Sequence, residues 1–259
     1  MVGESEMEEA VRHAMAPTRD EIRVLPQDSS EKLALKLLRD RGGRGLDVGC
    51  GTGKFTRSLA ALFREVSGID VKAKSIATAK EDAAAAGVAI DFRVASGGKI
   101  PYPDAWFDTV VFSNSLHHMP DPGEALREAV RVLQPDGILY VMEPVPAGSF
   151  HEATKLVNDE TAVRTQAYIE LRRLSAAGLE PKGETMCRSR VSFADFEQWH
   201  ADQVDRDPSR QARFDAQPEE VRRRFEANAV LADGGFVFEQ VLRINWFRKT
   251  GAASAARPA

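Results

Sequence analysis

The stretch LDVGCGTG, residues 46–53, decides the fold of this chain. Its three glycines alternate with other residues directly after an apolar run that contains Asp47. Glycine permits backbone angles that are closed to other residues, and it lets a ligand touch the main chain. The amides at the start of a following helix favour electron-rich groups. The pattern therefore predicts a strand, a turn and a helix that bind a nucleotide-like ligand, with a bare tight turn as the alternative.

This loop does not match the phosphate-binding P-loop, which requires G-x-x-x-x-G-K followed by Ser or Thr. Gly53 and Lys54 are followed by Phe55, so no hydroxyl is available for magnesium at that position. Val48 stands where the first glycine of the P-loop is needed. A nucleoside triphosphate is therefore not the expected ligand.

The dinucleotide fingerprint G-x-G-x-x-G/A fails as well. Counted from Gly49, its sixth position is Lys54, and counted from Gly51 it is Thr56. Asp70, however, ends the next predicted strand, where a carboxylate accepts hydrogen bonds from ribose hydroxyls and disfavours a ribose phosphate. A ribose acceptor without a pyrophosphate site indicates a nucleoside without phosphates, such as S-adenosylmethionine.

Short apolar strands alternate with amphipathic helical segments through the first half of the chain. One helix is predicted over 54–64 and another over 121–133, with Asp121 as its cap and Pro122 in its first turn. This alternation predicts an α/β fold in which helices cover both faces of a parallel sheet. The five predicted strands are residues 44–50, 65–70, 89–95, 107–114 and 137–144. Further strands are predicted at 182–191 and 236–249, separated by helical segments.

The chain divides into five predicted parts. Residues 1–40 are an N-terminal helical lid segment, 41–190 the ligand-binding core, 191–235 a helical insertion expected to act as a substrate lid, 236–249 the last strand of the core sheet, and 250–259 a flexible tail. The insertion contains a basic cluster in its residues 206–225, and the neighbouring carboxylates predict a solvated helix face or a subunit contact.

Composition narrows the function classes. The net charge of -4 gives no bulk attraction for phosphate backbones, so nucleic acid is not an expected partner. No apolar stretch reaches the roughly 18 residues of a membrane span, so no membrane is expected either. Cys50 and Cys187 are too far apart in sequence to form a metal motif. We therefore expect a cytoplasmic enzyme with no metal, with a homodimer as an open alternative.

Four motifs resemble the class I S-adenosylmethionine-dependent methyltransferases, in the small-molecule branch known as type 11. They are LDVGCGTG at 46–53, GID at 68–70, IPYPDAWFDTVVFSNSLHHM at 100–119, and EALREAVRVLQPDGILYVMEP at 124–144. The resemblance covers about Gly45 to Pro144. It implies a Rossmann-like, mostly parallel sheet of seven strands with an antiparallel last strand, and a small-molecule methyl acceptor.

The resemblance implies roles for the glycine loop. Gly49, Gly51 and Gly53, together with Cys50, would lie against the methionine part and the ribose of S-adenosylmethionine. Asp47 would help to anchor the methionine amino group, directly or through water.

The resemblance also assigns positions on the neighbouring strands. Asp70 would hold the ribose hydroxyls, with Val71 flanking the adenine. Ser96 and Gly97 occupy the positions where the family usually has Asp-Ala, so the acceptor for the adenine amino group would be a hydroxyl here. Asn114 would line the methionine end of the site.

His117 and His118 are the candidate catalytic bases, because they follow the fourth predicted strand at the edge of the sheet where ligands bind. Glu143 ends the fifth strand at the same edge and is a candidate substrate-binding group. Further candidates for contact with the substrate are Arg164, Tyr168, Phe193, Phe196, Trp199 and His200, for each of which ordinary packing or solvation is the alternative. A nicotinamide-dependent oxidoreductase and a non-catalytic cofactor-binding protein remain rival functions.

Overall fold

The computed structural model describes residues 22–24, 29–38, 42–174, 178–232 and 234–250. Most of the predicted N-terminal lid segment and all but the first residue of the predicted tail lie outside these ranges. Among the described residues, no helix combines the length and apolarity that crossing a membrane requires.

The described strands form one nine-stranded sheet in the order β1-β7-β9-β6-β5-β2-β3-β4, with β8 paired to β9. Strands β2 to β6 run parallel, and β9 runs antiparallel to both β6 and β7, as predicted. The two short strands β1 and β8 add to the seven that were expected. The strands are β1 (Ile22–Val24), β2 (Arg44–Val48), β3 (Glu65–Asp70), β4 (Asp91–Val94), β5 (Phe107–Ser113), β6 (Leu133–Pro144), β7 (Leu179–Phe193), β8 (Val230–Ala232) and β9 (Gly235–Lys249).

Helices cover both faces of this sheet, because successive side chains of a buried parallel strand point to opposite sides. On β5, Val110 and Phe112 pack into one core cluster and Val111 packs into another. The described helices are α1 (Ser29–Leu38), α2 (Lys54–Leu59), α3 (Ala73–Ala85), α4 (Pro122–Val132), α5 (Ser149–Thr154), α6 (Thr161–Leu174), α7 (Phe196–Arg206), α8 (Gln211–Ala216) and α9 (Pro218–Asn228), with 3-10 turns at Leu116–His118 and Pro208–Arg210.

The predicted start of α4 is confirmed. The Asp121 carboxylate accepts a hydrogen bond from the Glu124 amide at 2.8 Å, and Pro122 occupies the first turn. A cap of this kind satisfies an amide that the helix leaves unpaired, so the chain turns sharply from the loop after β5 into α4.

Two local predictions were wrong. The helix expected over 54–64 ends at Leu59, because the chain turns back so that Phe63 packs against Gly45 of β2. Residues 22–24, inside the segment expected to be helical, form β1 and pair in parallel with Met186–Arg188 of β7. The free edge of β7 offers unpaired backbone groups, and this pairing satisfies some of them.

The predicted helical insertion lies between β7 and β9 and contains α7, α8, α9 and β8. Both β6 and β7 are antiparallel to β9, so β7 runs in the direction of the parallel strands. The insertion therefore begins at the edge of the sheet where β2 to β6 end. Its side chains Trp199, Phe214 and Phe225 form an apolar cluster together with Ala153, Val157 and Phe238 of the neighbouring segments.

We predict that Phe225→Ala lowers the free energy of unfolding by about 3–5 kcal/mol, because this fully buried ring fills the centre of the insertion core. Urea unfolding would measure the change. Leu231→Ala is the matched control, because Leu231 is 75% exposed on β8 and its loss leaves no cavity. Equal effects of the two substitutions would contradict an insertion that is held by its own core.

Candidate active site

The glycine loop follows β2 and turns over the end of β3. The amides of Gly49 and Cys50 both donate to the Ile69 carbonyl, at 2.8 and 3.0 Å. Gly49 has a φ of 75°, and a Cβ added there would lie 2.5 Å from the Ser115 Cβ. Gly51 has a φ of 54°, and a Cβ there would meet nothing within 4 Å. Gly49 is thus required by close packing, whereas Gly51 leaves its main chain open to a ligand.

Asp70, at the end of β3, is joined to this loop. Its Oδ2 accepts from the Gly51 amide at 3.0 Å and its Oδ1 accepts from the Lys72 amide at 2.8 Å. A carboxylate has about four acceptor positions, so two remain for ribose hydroxyls. The next side chain, Val71, is 64% exposed and offers an apolar surface for a flat base. These two residues fit the nucleoside end of S-adenosylmethionine.

Asp47 lies beneath the loop, with 1% of its surface exposed. Its Oδ2 accepts a hydrogen bond from the Thr56 hydroxyl at 2.7 Å. Burial raises the pKa of the Asp47 carboxyl from 3.8 to about 7, against the opposing effect of the Thr56 hydrogen bond and with a smaller contribution from Asp70. The contact observed for Asp47 is therefore with Thr56, and its role at a methionine amino group stays a prediction.

The remaining predicted cofactor positions follow the ends of β4 and β5. Ser96 is exposed, and its hydroxyl accepts from the Gly98 amide at 3.2 Å. Gly97 is buried, and a Cβ there would lie 3.1 Å from Val48 Cγ1. Asn114 is exposed, with a φ of 53°. The ends of β4 and β5 thus place Ser96, Gly97 and Asn114 at the sheet edge that carries the glycine loop and Asp70.

Glu143 at the end of β6 holds the turn that carries the two candidate histidines. Its Oε1 accepts from the amides of Ser115 and Leu116, at 2.9 and 2.8 Å, and its Oε2 pairs with Nδ1 of His117. The Ser115 hydroxyl donates to the Val48 carbonyl at 2.6 Å, which ties the same turn to β2. The observed role of Glu143 is thus to position His117, which the sequence analysis did not predict.

A second carboxylate faces the histidines from the loop before α6. The Glu160 Oε2 lies 4.0 Å from Nε2 of His117, and its Oε1 lies 4.0 Å from Nδ1 of His118. The guanidinium of Arg164 pairs with Glu160. Burial and the neighbouring His117 lower the pKa of His118. Glu160 was missed by the sequence analysis, since it belongs to no motif and joins the site only through the fold.

Arg210 of the insertion is 8% exposed. Burial lowers the pKa of its guanidinium, and the negative charge of Glu160 is the largest effect opposing that decrease. A hydrogen bond from the Arg213 guanidinium to the Val157 carbonyl, at 3.0 Å, joins the insertion to the segment that precedes α6.

A small cavity with a volume of about 20 Å³ adjoins Glu143 on the side of α6. Apolar side chains such as Leu116 and Val145 form part of its wall, and Arg164 and Tyr168 form another part. Two of the six predicted substrate contacts thus line a cavity next to the histidine turn.

The other four predicted substrate contacts belong to the insertion and pack within it. Trp199 is fully buried, with Phe214 at 5.3 Å between ring centroids. Phe193 and Phe196 pack against the same core, and Nε2 of His200 is hydrogen bonded within the insertion. For Trp199, packing explains the residue fully.

The basic cluster of the insertion is largely neutralised by carboxylates. Arg206 pairs with Asp202, and Arg223 pairs with Glu220. The predicted solvated helix face accounts for these residues.

We predict that the difference in unfolding free energy between wild type and the Asp47→Asn variant changes with pH, because only wild type carries the buried Asp47 carboxyl. A raised folded-state pKa means that folding favours the protonated carboxyl, so its contribution to stability is present at low pH and is lost as the pH rises to about 7. Wild-type stability relative to the variant should fall by roughly 2 kcal/mol between about pH 5.5 and about pH 8.

Urea unfolding of both proteins across this pH range, without ligand, measures that difference. Asn retains the acceptor for Thr56 and cannot ionise, so the comparison isolates the charge. A difference that stays constant with pH would contradict the buried, proton-binding carboxyl.

Comparison with known proteins identifies the core. Residues 46–141 match a family model described as "Methyltransferase domain". The 27-O-demethylrifamycin SV methyltransferase of Amycolatopsis mediterranei is 37% identical over 164 residues, which are 59% of this chain and 60% of that protein. A ubiquinone biosynthesis O-methyltransferase of Caulobacter vibrioides is 38% identical over 97 residues, 37% of this chain and 38% of that protein. The chain therefore spans less than two thirds of the length of these relatives.

A solved structure, that of the [4+2]-cyclase SpnF, resembles nearly the whole fold. It is 26% identical with a TM-score of 0.57, covering 96% of this chain and 93% of that protein. The glycine loop, the carboxylate of Asp70 and the matched domain agree with one another, and residues 46–141 of this chain are similar to the methyltransferase domain of S-adenosylmethionine-dependent methyltransferases.

Proposed function

We propose that this chain transfers the methyl group of S-adenosylmethionine to a hydroxyl group of a small molecule. The observation that carries the proposal is the Glu143–His117 pair, which lies at the sheet edge shared with the glycine loop and Asp70. Two relatives are named as methyltransferases acting on oxygen, which supports oxygen over nitrogen or carbon as the acceptor atom. The match to a methyltransferase domain speaks against the nicotinamide-dependent alternative.

Bound S-adenosylmethionine would supply a methyl group that is already activated by its positive sulfur. Asp70 would hold the ribose, Val71 would lie against the adenine, and the main chain at Gly51 would allow close approach. Ser96, Gly97 and Asn114 stay predicted contacts on the neighbouring strand ends, and Asp47 would act from beneath the loop.

His117 would accept the proton of the acceptor hydroxyl. With Nδ1 held by Glu143, neutral His117 has its lone pair on Nε2, on the side that faces Glu160. The carboxylate of Glu143 would stabilise the imidazolium that forms. Proton removal makes the oxygen a better nucleophile, and positioning provides the rest of the rate. His118 remains the second candidate base.

The small cavity beside Glu143 has room for a group of about the size of one water, so it would receive only a small group of the acceptor. Leu116 and Val145 would provide apolar contact, and Tyr168 and Arg164 would provide polar contact. The insertion, which is bonded through Arg213 to the segment before α6, would cover this region and exclude water. Cytoplasmic location and a homodimer stay predictions of the sequence.

A second candidate function is a reaction other than methyl transfer on the same scaffold. Its support is the likeness to the [4+2]-cyclase SpnF over 96% of the chain. The two candidates differ in whether S-adenosylmethionine is consumed.

For cofactor binding, we predict that Asp70→Asn weakens the affinity for S-adenosylmethionine and S-adenosylhomocysteine by roughly 10–100-fold. The reason is that hydrogen bonds to a charged carboxylate are worth about 1.5–3 kcal/mol. Isothermal titration calorimetry measures both ligands. Glu81→Gln, at an exposed position of α3, is the control that should bind like wild type. Tight binding of a phosphate-bearing nucleotide, with no heat from either sulfur compound, would sink the cofactor assignment.

For the chemical step, we predict that His117→Ala lowers the rate of methyl transfer by about 10²–10⁴-fold while the affinity for S-adenosylmethionine is kept. Glu143→Gln should also lower the rate, because a neutral amide cannot stabilise the imidazolium. Formation of S-adenosylhomocysteine with a panel of hydroxylated small molecules gives the readout.

The control for this experiment is Glu180→Gln, which changes a carboxylate on β7 that is paired with Arg248 and Lys182. Full activity of His117→Ala would remove His117 as the base. Binding of S-adenosylmethionine by wild type without turnover across the panel would favour the second candidate function.

A further inference from the structure

Three side chains beside the cavity offer metal-binding atoms to one another. They belong to His117, His118 and Glu160, and one ligand atom from each lies within 4.8 Å of the other two. Both histidine–carboxylate separations are 4.0 Å, which is too long for a hydrogen bond. The three side chains therefore lie close together, but no hydrogen bond joins either histidine to the carboxylate of Glu160.

Two imidazole nitrogens and one carboxylate oxygen form a ligand set that zinc uses in catalytic sites with an open position. Zinc bonds of about 2.0–2.2 Å in tetrahedral geometry place neighbouring ligand atoms roughly 3.4 Å apart. The two histidine–carboxylate separations, which run to different oxygens of Glu160, exceed this by about 0.6 Å, and the three ligand atoms all lie within 4.8 Å of one another. The side chain of His118 is 60% exposed, so a small rotation can close the gap.

Metal ligands in proteins are commonly held in place by hydrogen bonds from neighbouring groups, and these ligands have such neighbours. Glu143 holds Nδ1 of His117, which leaves Nε2 as the donor atom. Arg164 binds Oε2 of Glu160, the oxygen that lies 4.0 Å from His117, and leaves Oε1, which faces His118, as the ligand atom. Glu143 thus orients the donor atom of His117, and Arg164 fixes the carboxylate of Glu160.

From this geometry we infer that His117, His118 and Glu160 form a binding site for a divalent cation of the zinc type. The three ligands leave at least one coordination position for water or for an oxygen of a small molecule. The cation uses the lone pair of His117 that would otherwise accept a proton, so binding of the cation and proton transfer through Nε2 exclude each other. The sequence analysis expected no metal. It could not reveal this cluster, because the three side chains come together only when the loop before α6 meets the histidine turn.

The test is titration of the untagged, metal-free full chain with zinc chloride by calorimetry, and with cobalt chloride by visible absorption. Wild type should bind one equivalent of zinc, and cobalt should give the bands of a low-coordinate complex. His118→Ala and Glu160→Gln should each weaken zinc binding at least tenfold. Glu143→Gln should weaken it by about 10–100-fold, because it removes the outer partner of His117.

The control is His200→Ala, which removes a histidine of the insertion that is bonded to Gln211. Its zinc affinity should equal that of wild type, and circular dichroism should show that every variant is folded. No binding by wild type, or equal weakening in the control, would overturn the site. Because neither donor nor acceptor is present, this result is independent of the proposed methyl transfer.

Discussion

The hydrogen bonds of Glu143 hold the active-site edge together. One carboxylate at the end of β6 accepts from two backbone amides of the turn after β5 and pairs with the ring of His117. The same turn is tied to β2 through the Ser115 hydroxyl. The ends of three neighbouring strands are thereby fixed relative to one another, so the position of the proposed base follows from the rigid sheet and not from a mobile loop.

The conformation of the glycine loop is limited by the space available for side chains. Gly49 has no room for a side chain because Ser115 lies against it, so the loop and the histidine turn are packed together. Gly51 has open space and is held by Asp70 through its amide. One carboxylate thus shapes the loop and keeps acceptor positions that the proposed ribose contact would use.

The insertion between β7 and β9 packs against the core fold around an apolar cluster of its own side chains together with Ala153, Val157 and Phe238. This cluster around Trp199 and Phe225 is distinct from the other three core clusters of the described residues. Changes in its outward-facing side chains can therefore alter what it covers without disturbing the sheet. The negative charge of Glu160, the group that also faces both histidines, acts on Arg210 of the insertion. The proposed base and the proposed cation site therefore lie beside a carboxylate that also interacts electrostatically with the insertion.

The sequence by itself determined the strands of the parallel sheet, the glycine loop and Asp70, because hydrophobic pattern, glycine spacing and helix caps are local properties. It also placed His117 at the correct edge. Only the tertiary structure decided that Glu143, 26 residues away, holds His117, and that Glu160 faces both histidines. It likewise decided that Trp199 belongs to a core. These contacts depend on how distant segments pack, and no local pattern encodes the path that brings them together.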